Sequence, residues 1–87
     1  MMDALEKQTF PVEARVLAVM AATLGADVES MRPQASLVDE LYADSLELLD
    51  MVMALNDAFG IEIGADDIAG IRTVGDVCSA VRQRLAA

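Results

Sequence analysis

Residues 43–55 read Ala43-Asp44-Ser45-Leu46-Glu47-Leu48-Leu49-Asp50-Met51-Val52-Met53-Ala54-Leu55, a pattern typical of one helix with a serine in its first turn. Asp44 is a good N-cap residue and Glu47 follows three positions later. The pair therefore predicts a capping box, in which each carboxylate accepts a hydrogen bond from a backbone N–H. Ser45 falls in the first turn, where the positive end of the helix dipole and the unpaired amides favour a phosphate.

The same helix has two apolar faces. At about 100° per residue, one face collects a stripe spaced i, i+3, i+4, i+7 and i+11, which we assign to the core: Leu48, Met51, Val52, Leu55 and Phe59. The solvated back of a helix is normally polar, but here large apolar residues lie among carboxylates, which indicates a surface that binds a partner. We call this surface the docking face, and it consists of Leu46, Glu47, Leu49, Asp50, Met53 and Asp57.

These residues resemble the modification site of acyl carrier proteins. In that family the serine of Asp-Ser-Leu bears a 4′-phosphopantetheine arm through a phosphodiester link, and partner enzymes recognise the helix that follows. The resemblance therefore implies that Ser45 carries the arm and that Asp44 helps the modifying enzyme to position the serine or its metal ion. The similarity covers roughly residues 10–86 and includes Ala43-Asp44-Ser45-Leu46, Val52-Met53-Ala54-Leu55, Phe59, Glu62-Ile63 and Thr73-Val74.

The resemblance also implies an all-α fold. The expected architecture is a four-helix bundle with three longer helices, a short helix 3, and a long loop between helices 1 and 2. Such a protein holds acyl intermediates as thioesters on its arm and presents them to fatty-acid, lipid or polyketide biosynthetic enzymes. The implied partners are a phosphopantetheinyl transferase (a holo-acyl-carrier-protein synthase), which takes the arm from coenzyme A, and acyl-transferring and condensing enzymes with basic patches.

Composition fits one small acidic domain over residues 1–87. Fifteen acidic and six basic residues give a formal net charge of −9, and no Lys or Arg occurs from Pro33 to Ile71. This charge disfavours nucleic acid and anionic membranes, whose phosphates would be repelled, and favours basic partners. No signal segment opens the chain and no apolar run approaches the roughly 20 residues of a membrane span. We therefore expect a cytoplasmic monomer without stable membrane insertion.

The inventory of reactive side chains argues against an enzyme and against a metal site. The sequence has no His, and its one Lys, Lys7, lies in the N-terminal segment, so Ser45 has no evident general base. The single Cys78 excludes an internal disulfide and a multi-cysteine metal site, and its apolar helical stripe predicts a core residue. Asp66 and Asp67 are adjacent, and neighbouring helical positions diverge by about 100°, so they do not converge on one ion or substrate.

Helix 1 is predicted over about residues 10–24. Thr9 can cap it, Pro11 fits its first turn, and Gly25 supplies a left-handed stop. Residues 1–8 form an N-terminal extension that either frays or prolongs this helix. The long loop that follows, residues 25–43, is expected to be pinned to the core by four apolar side chains, Val28, Met31, Leu37 and Leu41.

The second half of the chain predicts three helices. Helix 2 spans about residues 45–59 and ends at Gly60, and residues 66–70 form one short helical turn. Thr73 caps helix 4, with Asp76 three residues later as an approximate capping box. The apolar stripe of helix 4 is Val74, Val77, Cys78, Val81 and Leu85.

Four positions depart from the residues usual in the resembled family. Gly is usual where Tyr42 stands, glutamates are frequent at Asn56 and Ala58, and Pro is frequent at Gly64. We interpret Tyr42 as packing over the end of helix 2, with the alternative that its ring alters which partner or acyl chain is accepted. The departures suggest a specialised carrier for an unusual lipid, polyketide or modified fatty acid.

Three other functions remain open at this point. A peptidyl or polyketide carrier would bear the same arm with a different cargo, although nonribosomal carriers usually show Gly-Gly where this chain has Tyr42-Ala43. An acidic helical adaptor without a prosthetic group would contain the serine only incidentally, and its mass would show no modification. A cation-binding protein would respond to a calcium titration.

Overall fold

A computed structural model of the chain describes residues 12–86, and these residues form four α-helices. In chain order they are α1 (Val12–Leu24), α2 (Ser45–Phe59), α3 (Ala65–Ala69) and α4 (Val74–Ala86), with a short 3-10 helix at Val28–Ser30. Helix α1 packs against both α2 and α4. The predicted all-α fold with three longer helices and one short one is confirmed, and the expectations for residues 1–8, Thr9 and Pro11 lie outside the described residues.

The helices meet in one apolar core. Among residues 12–86 every buried side chain is apolar. The core stripes predicted for α2 and α4 are confirmed from Met51 to Leu55 and from Val74 to Val81. The largest fully buried side chains are Met20, Leu37, Met51, Leu55, Val16, Val74, Val77 and Val81.

Glycines end two of the helices as predicted. Gly25 follows α1 with φ 66°, and Gly60 follows α2 with φ 64°, both in the left-handed region. The amide of Gly60 donates to the carbonyl of Asn56 and thereby closes the last turn of α2. Helix α4 begins after a capping box, because Asp76 N donates to Thr73 Oγ1 at 3.2 Å and Thr73 N donates to Asp76 Oδ2 at 3.1 Å.

The long loop between α1 and α2 is tied to the start of α4. Leu37 N donates to the carbonyl of Arg72 at 3.0 Å, and Val74 N donates to the carbonyl of Ala35 at 3.1 Å. Gly75 lies so close to the loop that a Cβ atom there would come within 3.0 Å of the carbonyl oxygen of Pro33. These contacts fix the loop across the bundle, so that it delivers the chain to the N-terminus of α2 in a defined position.

Three predicted side-chain positions are wrong. Val28 is exposed on the 3-10 turn, whereas Met31 and Leu37, which were predicted with it, are buried. Leu85 is also exposed, since the last turn of α4, residues 83–86, projects beyond the core that ends at Val81. Tyr42 is 80% exposed and does not pack over the end of α2.

Arginines link the helices at the surface. Arg15 of α1 lies over the ring of Phe59, 4.4 Å from its centroid, near the C-terminal end of α2. Arg82 of α4 forms an ion pair with Glu13 of α1, and Arg84 forms one with Asp67 of α3. The two α4 arginines therefore bind carboxylates of other helices, in addition to lying near the negative end of their own helix.

Candidate functional site

The N-terminus of α2 is organised by the predicted capping box. Glu47 N donates to Asp44 Oδ1 at 2.8 Å, and Asp44 N donates to Glu47 Oε1 at 3.1 Å. Asp44 is the N-cap in extended conformation, and its carbonyl accepts the first helical bond from Leu48 N at 2.9 Å. The first amides of a helix have no intrahelical partner, and the box occupies two of them. The amides of Ser45 and Leu46 are thus the ones left at the mouth of the helix.

Ser45 is the first residue of α2, and its side chain is exposed. The chain just before it is anchored, since Ala43 is buried and its amide donates to the carbonyl of Leu37 at 2.8 Å. The buried Ala43 and the capped Asp44 hold the serine hydroxyl at the surface, beside amides that favour an anion. This arrangement can present a hydroxyl for esterification by a phosphate.

The docking face is exposed as predicted. Leu46 is 74% and Met53 is 60% exposed, and Leu49 is exposed between them. Asp50 and Asp57 are exposed beside them, while Glu47 is half-buried because it closes the capping box. A row of large apolar side chains that remains in water on a helix otherwise packed into the core is the kind of patch that binds another protein.

Sequence reasoning missed the role of Asn56. Its side-chain Oδ1 accepts a hydrogen bond from Ile63 N at 2.7 Å, which ties the segment after α2 back onto the helix. The only signal in the sequence was an amide side chain shortly before the helix-ending Gly60, where local hydrogen bonds to the backbone are frequent. Next to it, a shallow depression is lined by Met53, Asn56, Asp57, Ile61 and Glu62, at the C-terminal end of the docking face.

The two adjacent carboxylates of α3 have different surroundings. Asp67 accepts from Gly64 N at 3.1 Å and from Arg84 Nε at 3.0 Å, whereas Asp66 is exposed. The hydrogen bonds from Arg84 and from the Gly64 amide lower the pKa of Asp67 below its ordinary value. Among residues 12–86, no group of three or more potential ligands is placed to hold a metal ion.

Cys78 lies in the core as predicted. It is buried, and burial raises the pKa of its thiol above the ordinary value, which keeps the thiol protonated at neutral pH. Its side chain lines part of a pocket of about 300 Å³ that lies between α1, the long loop and α4. Leu17, Met31 and Val74 contribute to the apolar lining of this pocket. None of the described helices is long and apolar enough to cross a membrane.

Comparisons with known proteins agree with this geometry. The family model described as phosphopantetheine attachment site matches residues 14–81. An acyl carrier protein of Desulforapulum autotrophicum is 43% identical over 74 residues, which cover 84% of this chain and 96% of that protein. One from Syntrophobacter fumaroxidans is 42% identical over 66 residues, covering 76% of this chain and 82% of the relative.

A solved structure shows the same fold. The structure of a candidate acyl carrier protein from Mycobacterium tuberculosis superposes with a TM-score of 0.78 at 34% identity, covering 84% of this chain and 97% of that one. The fold, the family model and the sequence relatives agree over most of the chain. It follows that the chain belongs to the phosphopantetheine-attachment family and is an acyl carrier protein, a carrier whose prosthetic group is 4′-phosphopantetheine.

Proposed function

We propose that Ser45 is the residue to which 4′-phosphopantetheine is attached in this acyl carrier protein. The observation that carries the proposal is that Ser45 places an exposed hydroxyl at the first position of α2, next to amides without helical partners. The carboxylates of Asp44 and Glu47 accept hydrogen bonds from each other's backbone amides and thereby hold the helix start in place. The residues present therefore fit a phosphodiester at Ser45.

The other serine and threonine side chains among residues 12–86 fit the role less well. Four of them are engaged with nearby backbone: Thr23 with the carbonyl of Val19, Ser30 with that of Asp27, Ser36 with the amide of Asp39, and Thr73 with the amide of Asp76. Ser79 is exposed, but it lies in the second turn of α4, where the backbone amides are already used within the helix. Ser45 alone in this set combines exposure with a helix start.

The chain's own residues have a limited chemical task. Ser45 offers Oγ, the amides of Ser45 and Leu46 stabilise the negative charge of a phosphate, and Asp44 is placed to help a modifying enzyme orient the serine. When attached, 4′-phosphopantetheine supplies the thiol on which acyl groups are held as thioesters, so the buried Cys78 is not needed for cargo. Proteins of this family are carriers and not catalysts, and the lack of any His in the sequence agrees with that role.

The docking face supplies the means of recognition. Glu47, Asp50 and Asp57 attract basic patches on partner enzymes, which raises the rate of encounter more than the affinity. Leu46, Leu49 and Met53 then form the apolar contact of a small, transient interface. We propose the phosphopantetheinyl transferase and the acyl-transferring and condensing enzymes of fatty-acid, lipid or polyketide synthesis as the partners. The predicted cytoplasmic location and monomeric state remain predictions.

The test is the replacement Ser45→Ala, assayed with a phosphopantetheinyl transferase and coenzyme A by intact-mass spectrometry. The wild-type chain is expected to gain the mass of the arm, and the variant is expected to gain none while keeping its helical circular dichroism, since Ser45 is exposed. Ser79→Ala is the matched control, because it removes another exposed serine and should still be modified. Modification of the Ser45→Ala variant would show that the arm is attached elsewhere.

A further inference from the structure

Tyr42 has a backbone conformation that the fold does not explain by packing. Its φ of 59° lies in the left-handed region, and it is the one residue other than glycine with positive φ among residues 12–86. A side chain with a Cβ is disfavoured there, and an aromatic residue has no local hydrogen bond to offset the strain. The ring is 80% exposed, so it returns little burial to the folded state. A strained and exposed aromatic residue points to function and not to stability.

The backbone on both sides of Tyr42 is held firmly. Leu41 N donates to the carbonyl of Ser36 at 3.1 Å, and Ala43 N donates to the carbonyl of Leu37 at 2.8 Å. Asp44 is fixed in turn by its capping box with Glu47. The left-handed residue between these anchors therefore presents its ring in a set direction, and a rigid aromatic side chain loses little conformational freedom when a partner covers it.

The ring must lie close to any enzyme that works on Ser45. Three residues of chain span at most roughly 10 Å, so an active site that reaches Ser45 covers the surface around Tyr42. The surface there continues the composition of the docking face, with exposed Val38 and Leu46 and with Asp39, Glu40 and Asp44 around them. Such a surface is complementary to an enzyme that presents arginine, which pairs with carboxylates and stacks on a tyrosine ring.

Resting on the proposed role of Ser45, we propose that Tyr42 extends the docking face across the start of α2 and is a recognition residue for the enzyme that modifies this serine. The occupant of this surface is the basic, arginine-bearing surface of a phosphopantetheinyl transferase. Tyrosines at the centre of small interfaces often contribute a large share of the binding energy. In this chain the contact is made by a residue at a position where the resembled family usually has no side chain at all.

The proposal is tested by transfer kinetics with coenzyme A and a purified phosphopantetheinyl transferase, comparing the wild-type chain with Tyr42→Gly, Tyr42→Asn and Tyr42→Phe. Glycine removes both ring and strain. Asparagine removes the ring and also tolerates a left-handed backbone, but without the added freedom of glycine. Phenylalanine keeps the ring. We expect kcat/KM to fall about tenfold for the glycine and asparagine variants, chiefly through KM, and to stay within about twofold for phenylalanine.

Leu85→Ala serves as the matched control, because it removes an exposed apolar side chain on the last turn of α4, and it should leave kcat/KM unchanged. The unfolding midpoint of the glycine variant should equal or exceed that of the wild type, which separates recognition from folding. Wild-type kcat/KM in the asparagine variant would overturn the proposal for Tyr42 while leaving Ser45 as the attachment site. Failure of the wild-type chain to be modified at all would instead reject the proposed function itself.

Discussion

At the scale of single residues, Ser45 and Cys78 show how position decides the chemistry of a side chain. Ser45 is the first residue of α2 and is exposed beside unpaired amides. Cys78 faces the core of α4, where desolvation raises the pKa of the thiol. The thiolate is the reactive form of cysteine, so the more nucleophilic side-chain type is the one that the fold makes inert. The weaker nucleophile, the hydroxyl of Ser45, lies at the surface.

Cys78 should therefore react slowly with a thiol reagent in the native chain. At pH 8 we expect iodoacetamide to label the folded protein many-fold more slowly than the urea-unfolded protein. The raised pKa lowers the fraction of Cys78 that is thiolate, and burial keeps the reagent away from the sulfur. Labelling is followed by intact mass against time, with the unfolded chain giving the intrinsic rate. Equal rates in the two states would mean that the α4 side of the core opens readily and that Cys78 is not a packed core residue.

Some single-residue predictions were possible from the sequence and others were not. Residue type and spacing predicted the cap at Asp44, the exposed Ser45 and the buried Cys78, because each depends on near neighbours along one helix. The same reasoning failed for Tyr42, since an aromatic ring usually seeks burial and nothing in its type indicates a positive φ. That conformation is imposed by the two residues that flank Tyr42, because the amides of Leu41 and Ala43 are both hydrogen-bonded to carbonyls earlier in the long loop.

At the scale of elements, the helices were easier to predict than the loop. Helix α2 has the predicted bounds, since a capping box begins it and Gly60 ends it. Helix α3 begins at Ala65, one residue before the prediction, because Gly64 serves as N-cap and Asp67 accepts its amide. The 3-10 turn and the bridge between Ser36 and Thr73 were not predicted. The bridge joins backbone segments that are far apart in sequence, which local patterns do not report. The 3-10 turn is closed by short-range bonds, from Ser30 N to the carbonyl of Asp27 and from Met31 N to the carbonyl of Val28.

Helix α3 is five residues long and depends on outside contacts to stay folded. Asp67 provides two of them, through the Gly64 amide and Arg84 of α4, and we expect Asp67→Asn to speed amide hydrogen exchange across residues 65–70. Asp66→Asn is the matched control, since it removes the neighbouring exposed carboxylate and should leave exchange unchanged. Equal exchange in both variants would show that apolar contacts alone hold α3.

The same contact has a defined pH dependence. The pKa of Asp67 is lowered in the folded chain, chiefly by Arg84, from the ordinary value of 3.8. Its contribution is therefore complete above pH 3.8 and is lost as pH falls through the lower folded pKa. The difference in exchange between wild type and Asp67→Asn should persist near neutral pH and shrink as the pH falls below the folded-state pKa of Asp67.

At the scale of the whole molecule, charge is distributed unevenly. Three arginines are engaged with groups on other helices. Arg15 of α1 lies over the ring at the end of α2, and Arg82 and Arg84 of α4 pair with carboxylates of α1 and α3. No Lys or Arg occurs between Pro33 and Ile71, which includes all of α2. No basic residue close in sequence therefore offsets the negative charge of the docking face. This uneven distribution of charge can be predicted from the sequence alone.

Charge reversal on the docking face should slow its recognition by basic enzymes. In the double variant Asp50→Lys with Asp57→Lys, we expect kcat/KM with a phosphopantetheinyl transferase to fall about tenfold at low ionic strength, because electrostatic steering acts on the association rate. The effect should fade in about 1 M salt, where the screening length is only about 3 Å. Both side chains are exposed, so the fold should be retained, and circular dichroism checks this.

A matched control separates the place of the charge from its amount. Glu29→Lys with Asp66→Lys reverses two exposed carboxylates on the 3-10 turn and on α3, and so produces the same net charge without altering α2. If steering originates at the docking face, the control should keep most of the wild-type rate at every salt concentration. An equal loss in both double variants would assign the effect to the net charge of −9 as a whole. An unchanged kcat/KM in the Asp50→Lys, Asp57→Lys variant would show that these two carboxylates do not raise the association rate. Recognition would then depend on the apolar residues of the docking face.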